Sequence, residues 1–272
     1  MIKGDPRGMA SVNPGMAATE GPVGMSQRRA AILREMGLAP LWKLRTKTPL
    51  EPLSIAPPVQ PVAAAALPRL IDQAGERASG IATMGWDELR ASVAACTACE
   101  LCKTRKQAVL GVGDLSADWL FVGEGPGAEE DQRGEPFVGQ AGKLLDAMLS
   151  AIGLQRGRKV YIANTVKCRP PGNRTPAPSE TAACWPYLAR QIALLQPKLI
   201  VALGKPAAQT LLRTELRVGE ARGRVFEHDG IALIVTYHPA YLLRALPEKA
   251  KAWEDLCFAR STLRELQKKA LA

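Results

Sequence analysis

Four short runs of apolar residues, rich in β-branched side chains, lie in the second half of the chain, and a polar or glycine-rich motif follows each of them. The runs are 119–122, 160–163, 199–203 and 231–235. Runs of this kind are typical of parallel strands that are buried on both faces. Ligands of an open α/β sheet bind outside the carboxyl ends of its strands. The sequence therefore predicts an α/β protein in which the four motifs meet at one site, as in an enzyme.

The composition of the 272-residue chain allows one sizeable core and a tail. No run of about 18 apolar residues occurs, and the first residues lack the hydrophobic segment of a signal peptide. We therefore expect a cytoplasmic protein that does not enter a membrane. The formal net charge of +10 favours a polyanionic partner such as nucleic acid.

The first part of the chain differs in composition from the rest. Residues 1–25 are rich in Gly, Met, Ala and Pro without periodic apolar spacing, which predicts disorder. A short helix is predicted over 26–37, and a linker rich in Pro and Ala follows it. We therefore expect a mostly disordered tail over 1–83 and a folded domain over 84–272.

The six cysteines form one cluster and several scattered positions. They are Cys96, Cys99 and Cys102, spaced three residues apart, and the distant Cys168, Cys184 and Cys257. In a chain of cytosolic type, such cysteines indicate metal binding or buried thiols more often than disulfides. The spacing is compatible with zinc and with an iron–sulfur cluster, because both bind four thiolates.

Ordered motifs from about Trp86 to about Leu271 resemble those of the family 4 uracil-DNA glycosylases, the iron–sulfur branch of that superfamily. The motifs are Gly123–Gly127 with Glu129–Asp131 behind it, Gly134–Gly139, Lys167–Arg174 and His238–Arg244. The resemblance implies a monomeric three-layer α/β/α sandwich with a central, mainly parallel four-stranded sheet. It also implies a monofunctional enzyme that flips uracil out of DNA and hydrolyses its N-glycosidic bond, which starts base excision repair.

The resemblance further implies a structural [4Fe-4S] cluster. The positions that match its ligands are Cys96, Cys99, Cys168 and Cys184. Cys102 is interpreted as a spare thiol that faces the cluster region, although it could compete as a ligand or help to rescue a damaged cluster, and no role is assigned to Cys257.

Two residues match the catalytic positions of the family. His238 would donate a hydrogen bond to uracil O2 as negative charge develops there. Glu124 would orient the attacking water, although the same carboxylate could instead fix its loop by accepting backbone N–H bonds. The other histidine, His228, is predicted to be a solvated turn residue.

Three further residues match substrate-binding positions of the family. Asn164 would read the pyrimidine edge, and Phe137 would stack on the flipped base. Gly125 occupies the position at which the best-known branch of the superfamily has a water-positioning Asp.

The resemblance also implies the DNA contacts. The expected wedge is Leu242, Leu243 and Arg244, since an apolar side chain inserted into the base stack offsets part of the unstacking cost. Lys167, Arg169, Asn173 and Arg174 are expected to contact the DNA backbone.

The sequence is also compatible with two other functions and with one further interaction. The protein could be an inactive DNA-binding protein with a redox-sensing cluster. It could also be a crosslinking relative, although the basic, His-containing insert of that branch does not follow Gln140. Finally, Leu33–Arg45 faintly resembles the amino-terminal peptide of the psi subunit of the bacterial clamp loader, which suggests replisome docking through residues 26–48.

Overall fold

The computed structural model describes residues 71–271, which form a six-stranded sheet covered by helices on both faces. The strands are β1 (Val112–Gly113), β2 (Trp119–Gly123), β3 (Val160–Asn164), β4 (Leu199–Leu203), β5 (Phe226–His228) and β6 (Ile231–Thr236). The α-helices are α1 (Ile71–Thr83), α2 (Trp86–Ala95), α3 (Ala128–Arg133), α4 (Gln140–Ala151), α5 (Pro178–Leu195), α6 (Lys205–Leu212), α7 (Val218–Ala221), α8 (Pro239–Leu242) and α9 (Glu248–Leu271). Short 3-10 turns span Glu100–Lys103 and Pro171–Asn173.

The strand order of the sheet is β1-β3-β2-β4-β6-β5. The four central strands are the four predicted ones, and they pair in parallel. The two edge strands, β1 and β5, pair antiparallel with their neighbours and were not predicted. They contain only two and three residues, which is too short for an apolar alternation to be visible in the sequence.

Alternate residues of the central strands enter two separate cores, which confirms the α/β/α sandwich. In β2, for example, Leu120 and Val122 face a core formed with α5, α6 and α7. Trp119 and Phe121 face the opposite core, formed with α4 and α9. This alternation follows from the period of two along a strand, and it explains why both faces of each strand are apolar.

A third apolar cluster lies beside the sheet, where the first two helices pack on α5. Ile81 of α1 and Leu89 of α2 are buried there together with Cys168 and Cys184. The packed part of the chain therefore begins before residue 84, the predicted domain boundary, because a buried isoleucine anchors α1. The predicted disordered segment, the helix over 26–37 and the docking segment 26–48 lie outside the described residues.

Within residues 71–271, every helix is too short or too polar to span a membrane.

Candidate active site

The loops that follow the four parallel strands form a single groove at the carboxyl edge of the sheet. Seven of the predicted site residues line this groove: Glu124, Gly125, Phe137, Asn173, Arg174, His238 and Arg244. They come from the loops after β2, β3 and β6 and from the segment between α3 and α4. The predicted convergence of the motifs is therefore what the fold produces, as expected for an open α/β sheet.

Asn164 is the last residue of β3 and lies at the inner end of this edge. Its side chain is 1 % exposed, and neither its Oδ1 nor its Nδ2 has a hydrogen-bond partner among the described residues. An unpaired buried polar group costs about 1–3 kcal/mol. The Asn164 amide therefore presents one acceptor and one donor that a ligand with the complementary pair would satisfy.

Gly123, the last residue of β2, allows Asn164 and Phe137 to meet. A Cβ atom at Gly123 would lie 2.5 Å from Asn164 Oδ1 and 2.5 Å from Phe137 Cζ. Any side chain at this position would force both groups away. The absence of a side chain at Gly123 thus brings an unpaired amide and an aromatic ring to the same point.

His238 follows β6 and caps the short helix α8. Its Nδ1 accepts a hydrogen bond from the backbone N–H of Ala240 at 3.1 Å, so the neutral ring carries its hydrogen on Nε2. Burial, and to a lesser extent the positive charge of Arg244, lower the pKa of His238 to about 4. The ring lies 5.5 Å from that of Phe137, centroid to centroid. A neutral imidazole with a free N–H donor is therefore available beside the aromatic ring.

Two carboxylates near the groove have different surroundings. The backbone carbonyl of Glu124 accepts hydrogen bonds from Thr165 Oγ1 and from the N–H of Val166, which fixes the main chain. Its carboxylate makes no hydrogen bond with any of the described residues. The Glu130 carboxylate, by contrast, accepts the N–H groups of Gly127, Val138 and Gly139, at 3.0, 2.9 and 3.0 Å. The loop is therefore fixed by Glu130.

The role of Glu130 was missed at the level of sequence. A signal for it exists, because glutamate three residues after the N-cap Gly127 of α3 is the pattern of a capping box. The extra bonds to Val138 and Gly139 depend on tertiary structure and have no local signal.

Three predictions from the sequence are wrong in the structure. Lys167 is buried, and its Nζ donates to the carbonyl of Asn164 at 2.8 Å and to Gln191 Oε1, so it does not face DNA. Leu242 is 1 % exposed and belongs to the core, whereas Leu243 is 41 % exposed. His228 is buried, and its Nδ1 pairs with the carbonyl of Leu211 at 2.9 Å.

Three further predicted DNA contacts, Arg169, Asn173 and Arg174, lie at or near the surface but already have partners. Arg169 Nε donates to Asn173 Oδ1 at 2.7 Å, and Asn173 is exposed. Arg174 makes a two-pronged ion pair with Glu180, at 2.7 and 2.8 Å. Since Glu180 also accepts the N–H of Ala177, this pair fixes the loop between β3 and α5.

A second constellation lies away from the groove. Cys96, Cys99 and Cys102 meet Cys168 and Cys184 around one cavity, and all are free thiols. No set of three or more His, Cys, Asp or Glu side chains within residues 71–271 is arranged to hold a single metal ion.

Three of the five cysteine sulfurs around this cavity receive N–H donors. Arg105 donates to Cys168 Sγ at 3.0 Å, and the backbone N–H of Lys167 donates to Cys184 Sγ at 3.2 Å. Arg77 donates to Cys96 Sγ at 3.5 Å. Burial raises the pKa of the Cys184 thiol to about 12. Buried sulfurs surrounded by N–H donors are typical of an iron–sulfur site, in which the metal charge stabilises the thiolates.

Comparison with known proteins agrees with this geometry. The family model of the uracil DNA glycosylase superfamily matches residues 110–257. Type-4 uracil-DNA glycosylases from three organisms are similar to the chain. That of Pyrobaculum aerophilum is 42 % identical over 181 residues, which are 64 % of this chain and 92 % of that protein. That of Archaeoglobus fulgidus is 45 % identical over 165 residues, 58 % of this chain and 82 % of that protein.

The third relative is the type-4 uracil-DNA glycosylase of Thermotoga maritima, 44 % identical over 174 residues, which are 62 % of this chain and 90 % of that protein. Identity of this level over nearly the whole length of each relative, together with a groove built from all four motifs, shows that the chain belongs to the type-4 family of uracil-DNA glycosylases.

Proposed function

We propose that the protein is a monofunctional DNA glycosylase that flips uracil out of DNA and hydrolyses its N-glycosidic bond. The observation that carries this proposal is the buried, unpaired amide of Asn164 beside Phe137 and His238. Membership of the type-4 family supports the same substrate.

Base selection follows from the Asn164 amide. Uracil presents an N–H and a carbonyl oxygen at adjacent ring positions, and the amide offers the complementary oxygen and N–H. Cytosine has an acceptor and an amino donor in their place, so an amide held in the uracil-binding orientation would leave buried polar groups unpaired. Phe137 would stack on the base and hold it against this amide.

His238 would stabilise the leaving group. Cleavage of the glycosidic bond transfers negative charge to the departing uracil, and the Nε2 hydrogen of His238 would be donated to its O2. A histidine with a pKa of about 4 is neutral at pH 7 and gives this hydrogen bond without losing its proton. The bond from Ala240 to Nδ1 holds the ring in the tautomer that the donation requires.

Glu124 would orient the water that attacks the sugar. Its carboxylate lines the groove with no hydrogen bond to a described residue, while its main chain is fixed by Thr165 and Val166. The rival interpretation, in which Glu124 only fixes the loop, is weakened because Glu130 accepts the backbone N–H groups there.

DNA would be held along the rim of the groove. Leu243 is the exposed apolar side chain beside Arg244, which suits it to enter the base stack while Arg244 contacts phosphate or the orphaned base. Arg169, Asn173 and Arg174 are the remaining exposed or half-buried backbone contacts.

The cysteine cavity would hold a [4Fe-4S] cluster through Cys96, Cys99, Cys168 and Cys184, with Cys102 as a nearby spare thiol. When bound, the cluster supplies a structural crosslink between distant parts of the chain and takes no part in the hydrolysis. The N–H donors from Arg77, Arg105 and Lys167 would stabilise the thiolates.

The test is the release of free uracil from a uracil-containing duplex by the purified protein, in parallel with Asn164→Ala and His238→Ala. We expect robust release by the wild type and a loss of at least about 100-fold in each variant, as for removal of groups that stabilise a transition state. His228→Gln is the matched control, since it changes the other histidine, and it should retain activity. Absence of uracil release by the wild-type protein would refute the proposal, and so would a covalent protein–DNA product.

A further inference from the structure

Phe137 has an unusual backbone conformation for a buried aromatic residue. Its φ angle is 55°, in the left-handed region that non-glycine residues rarely adopt, and its side chain is buried. Such a conformation persists only where the surroundings impose it. The residues that impose it here therefore determine where the ring lies.

Arg156, in the loop after α4, forms hydrogen bonds with the backbone on both sides of the strained φ torsion of Phe137. Its guanidinium donates to the carbonyl of Pro136 at 2.9 Å and to the carbonyl of Phe137 at 2.8 Å. The Nε of the same side chain donates to Asp146 Oδ1 of α4 at 3.0 Å. A planar fork that is oriented by a carboxylate fixes two carbonyls at once, which a lysine could not reproduce.

The other side of this loop is held by a carboxylate and by close packing. Glu130 accepts the N–H groups of Val138 and Gly139. The carbonyl of Phe137 lies where a Cβ atom of Gly142 would be, so the loop packs directly on α4. Glu130 lines the groove and bonds to the residues after Phe137. Arg156 does not line the groove, and of these restraints it is the one that forms a hydrogen bond with Phe137 itself.

We propose that Arg156, oriented by Asp146, is a positioning residue for base recognition. It holds Phe137 in its strained conformation, so that the ring is ready to stack on the flipped base beside Asn164 and His238. Arg156 touches neither the base nor the sugar and acts only through Phe137. This inference rests on the proposed function, because it assigns Phe137 to the stacking position.

The test is a double-mutant cycle in the full-length protein. Arg156→Met keeps most of the side-chain volume and removes the fork. With enzyme in excess, we expect the rate of uracil release at saturation to fall about 10-fold, because small misplacements of groups that orient the substrate have large effects. In the Phe137→Ala background the same substitution should change the rate by less than about twofold, since the ring that it positions is gone.

Two further variants separate positioning from general destabilisation. Arg158→Met removes an exposed arginine from the same loop and should behave as wild type. Asp146→Asn leaves the guanidinium in place but weakens its orientation, and it should lower the rate by about threefold. Thermal unfolding of each variant tests whether it is folded at the assay temperature.

A second measurement covers the case in which Phe137→Ala releases too little uracil to follow. Binding is then measured on a duplex that carries 2′-fluorinated deoxyuridine, which resists cleavage. Arg156→Met should weaken this binding several-fold in the wild-type background and have no effect in the Phe137→Ala background. An equal loss in both backgrounds would overturn the inference, as would a wild-type rate and affinity for Arg156→Met. If the wild type and Arg158→Met release no uracil, it is the proposed function that fails.

Discussion

His238 illustrates how one hydrogen bond and burial determine the state of a side chain. The bond from Ala240 occupies Nδ1, and burial lowers the pKa to about 4 from the ordinary value of 6.5. The folded ring is therefore neutral at every pH above about 4, whereas an unfolded chain binds a proton below about 6.5. Its contribution to stability is thus present above about pH 6.5 and is lost as the pH falls towards 4.

We predict that the imidazole signal of His238 does not titrate between about pH 5 and 8, where an unperturbed histidine would. Histidine-labelled protein followed by NMR tests this, and the chain has only two histidines, which His228→Gln assigns. The rate of uracil release should likewise show no inflection near pH 6.5 that belongs to His238, and it should fall as the pH falls through about 4. A midpoint near 6.5 for His238 would contradict the lowered pKa of the buried ring.

Glu124 and Glu130 lie six residues apart, but replacing each with glutamine should have different effects on activity and stability. Glu124→Gln should lower uracil release about 100-fold, as expected for loss of a group that orients a nucleophile, and leave the thermal midpoint nearly unchanged. Glu130→Gln should lower the midpoint, because three N–H groups lose a charged acceptor. Near-normal turnover by Glu124→Gln would show that its carboxylate is not needed for water attack.

At the level of elements, helix α8 determines which of two adjacent leucines is exposed. It is only four residues long, and its turn directs Leu242 into the core while the next residue, Leu243, faces outward. Leu242→Ala should therefore destabilise the fold by about 2–4 kcal/mol, as buried leucine truncations do. Leu243→Ala should leave stability unchanged and slow uracil release from duplex more than from single-stranded DNA, because only the duplex requires unstacking and unpairing.

Chemical denaturation and paired duplex and single-strand assays measure these two effects. Each variant is the control for the other, because the substitutions are chemically identical and adjacent. A loss of duplex activity in Leu242→Ala at full stability would restore the wedge role that the sequence suggested for it.

Long elements of this fold could be predicted from the sequence, whereas single turns and tertiary contacts could not. The four central strands were predictable because four or five consecutive apolar residues have a clear pattern, and their order brought the motifs together at one edge. The phase of α8 was not predictable, since a single turn has no period to read. The burial of Lys167 could not be inferred either, because its partner Gln191 lies 24 residues away on α5. Arg156 is likewise visible only through its tertiary contacts.

At the scale of the whole molecule, the cysteine cavity joins segments that are distant in the chain. Cys96 and Cys99 follow α2, Cys168 follows β3, and Cys184 lies within α5. The same region buries Ile81 of α1 and Leu89 of α2. These two helices therefore attach to the rest of the fold through apolar contacts around the cysteines. Since the site combines parts that would be separate in an unfolded chain, binding of a cluster there would contribute directly to folding.

We predict that the protein purified without oxygen is brown, with iron and acid-labile sulfide in about equal amounts, as in a cubane cluster. Cys184→Ser should lose most of the iron and the visible absorbance, and its thermal midpoint should fall by about 5 °C or more. Cys102→Ser should retain iron if it is a spare thiol, and Cys257→Ser, outside the cavity, is the matched control. Colourless wild-type protein with one zinc per chain would contradict the cluster, and an unchanged midpoint on its loss would show that the helices attach without it.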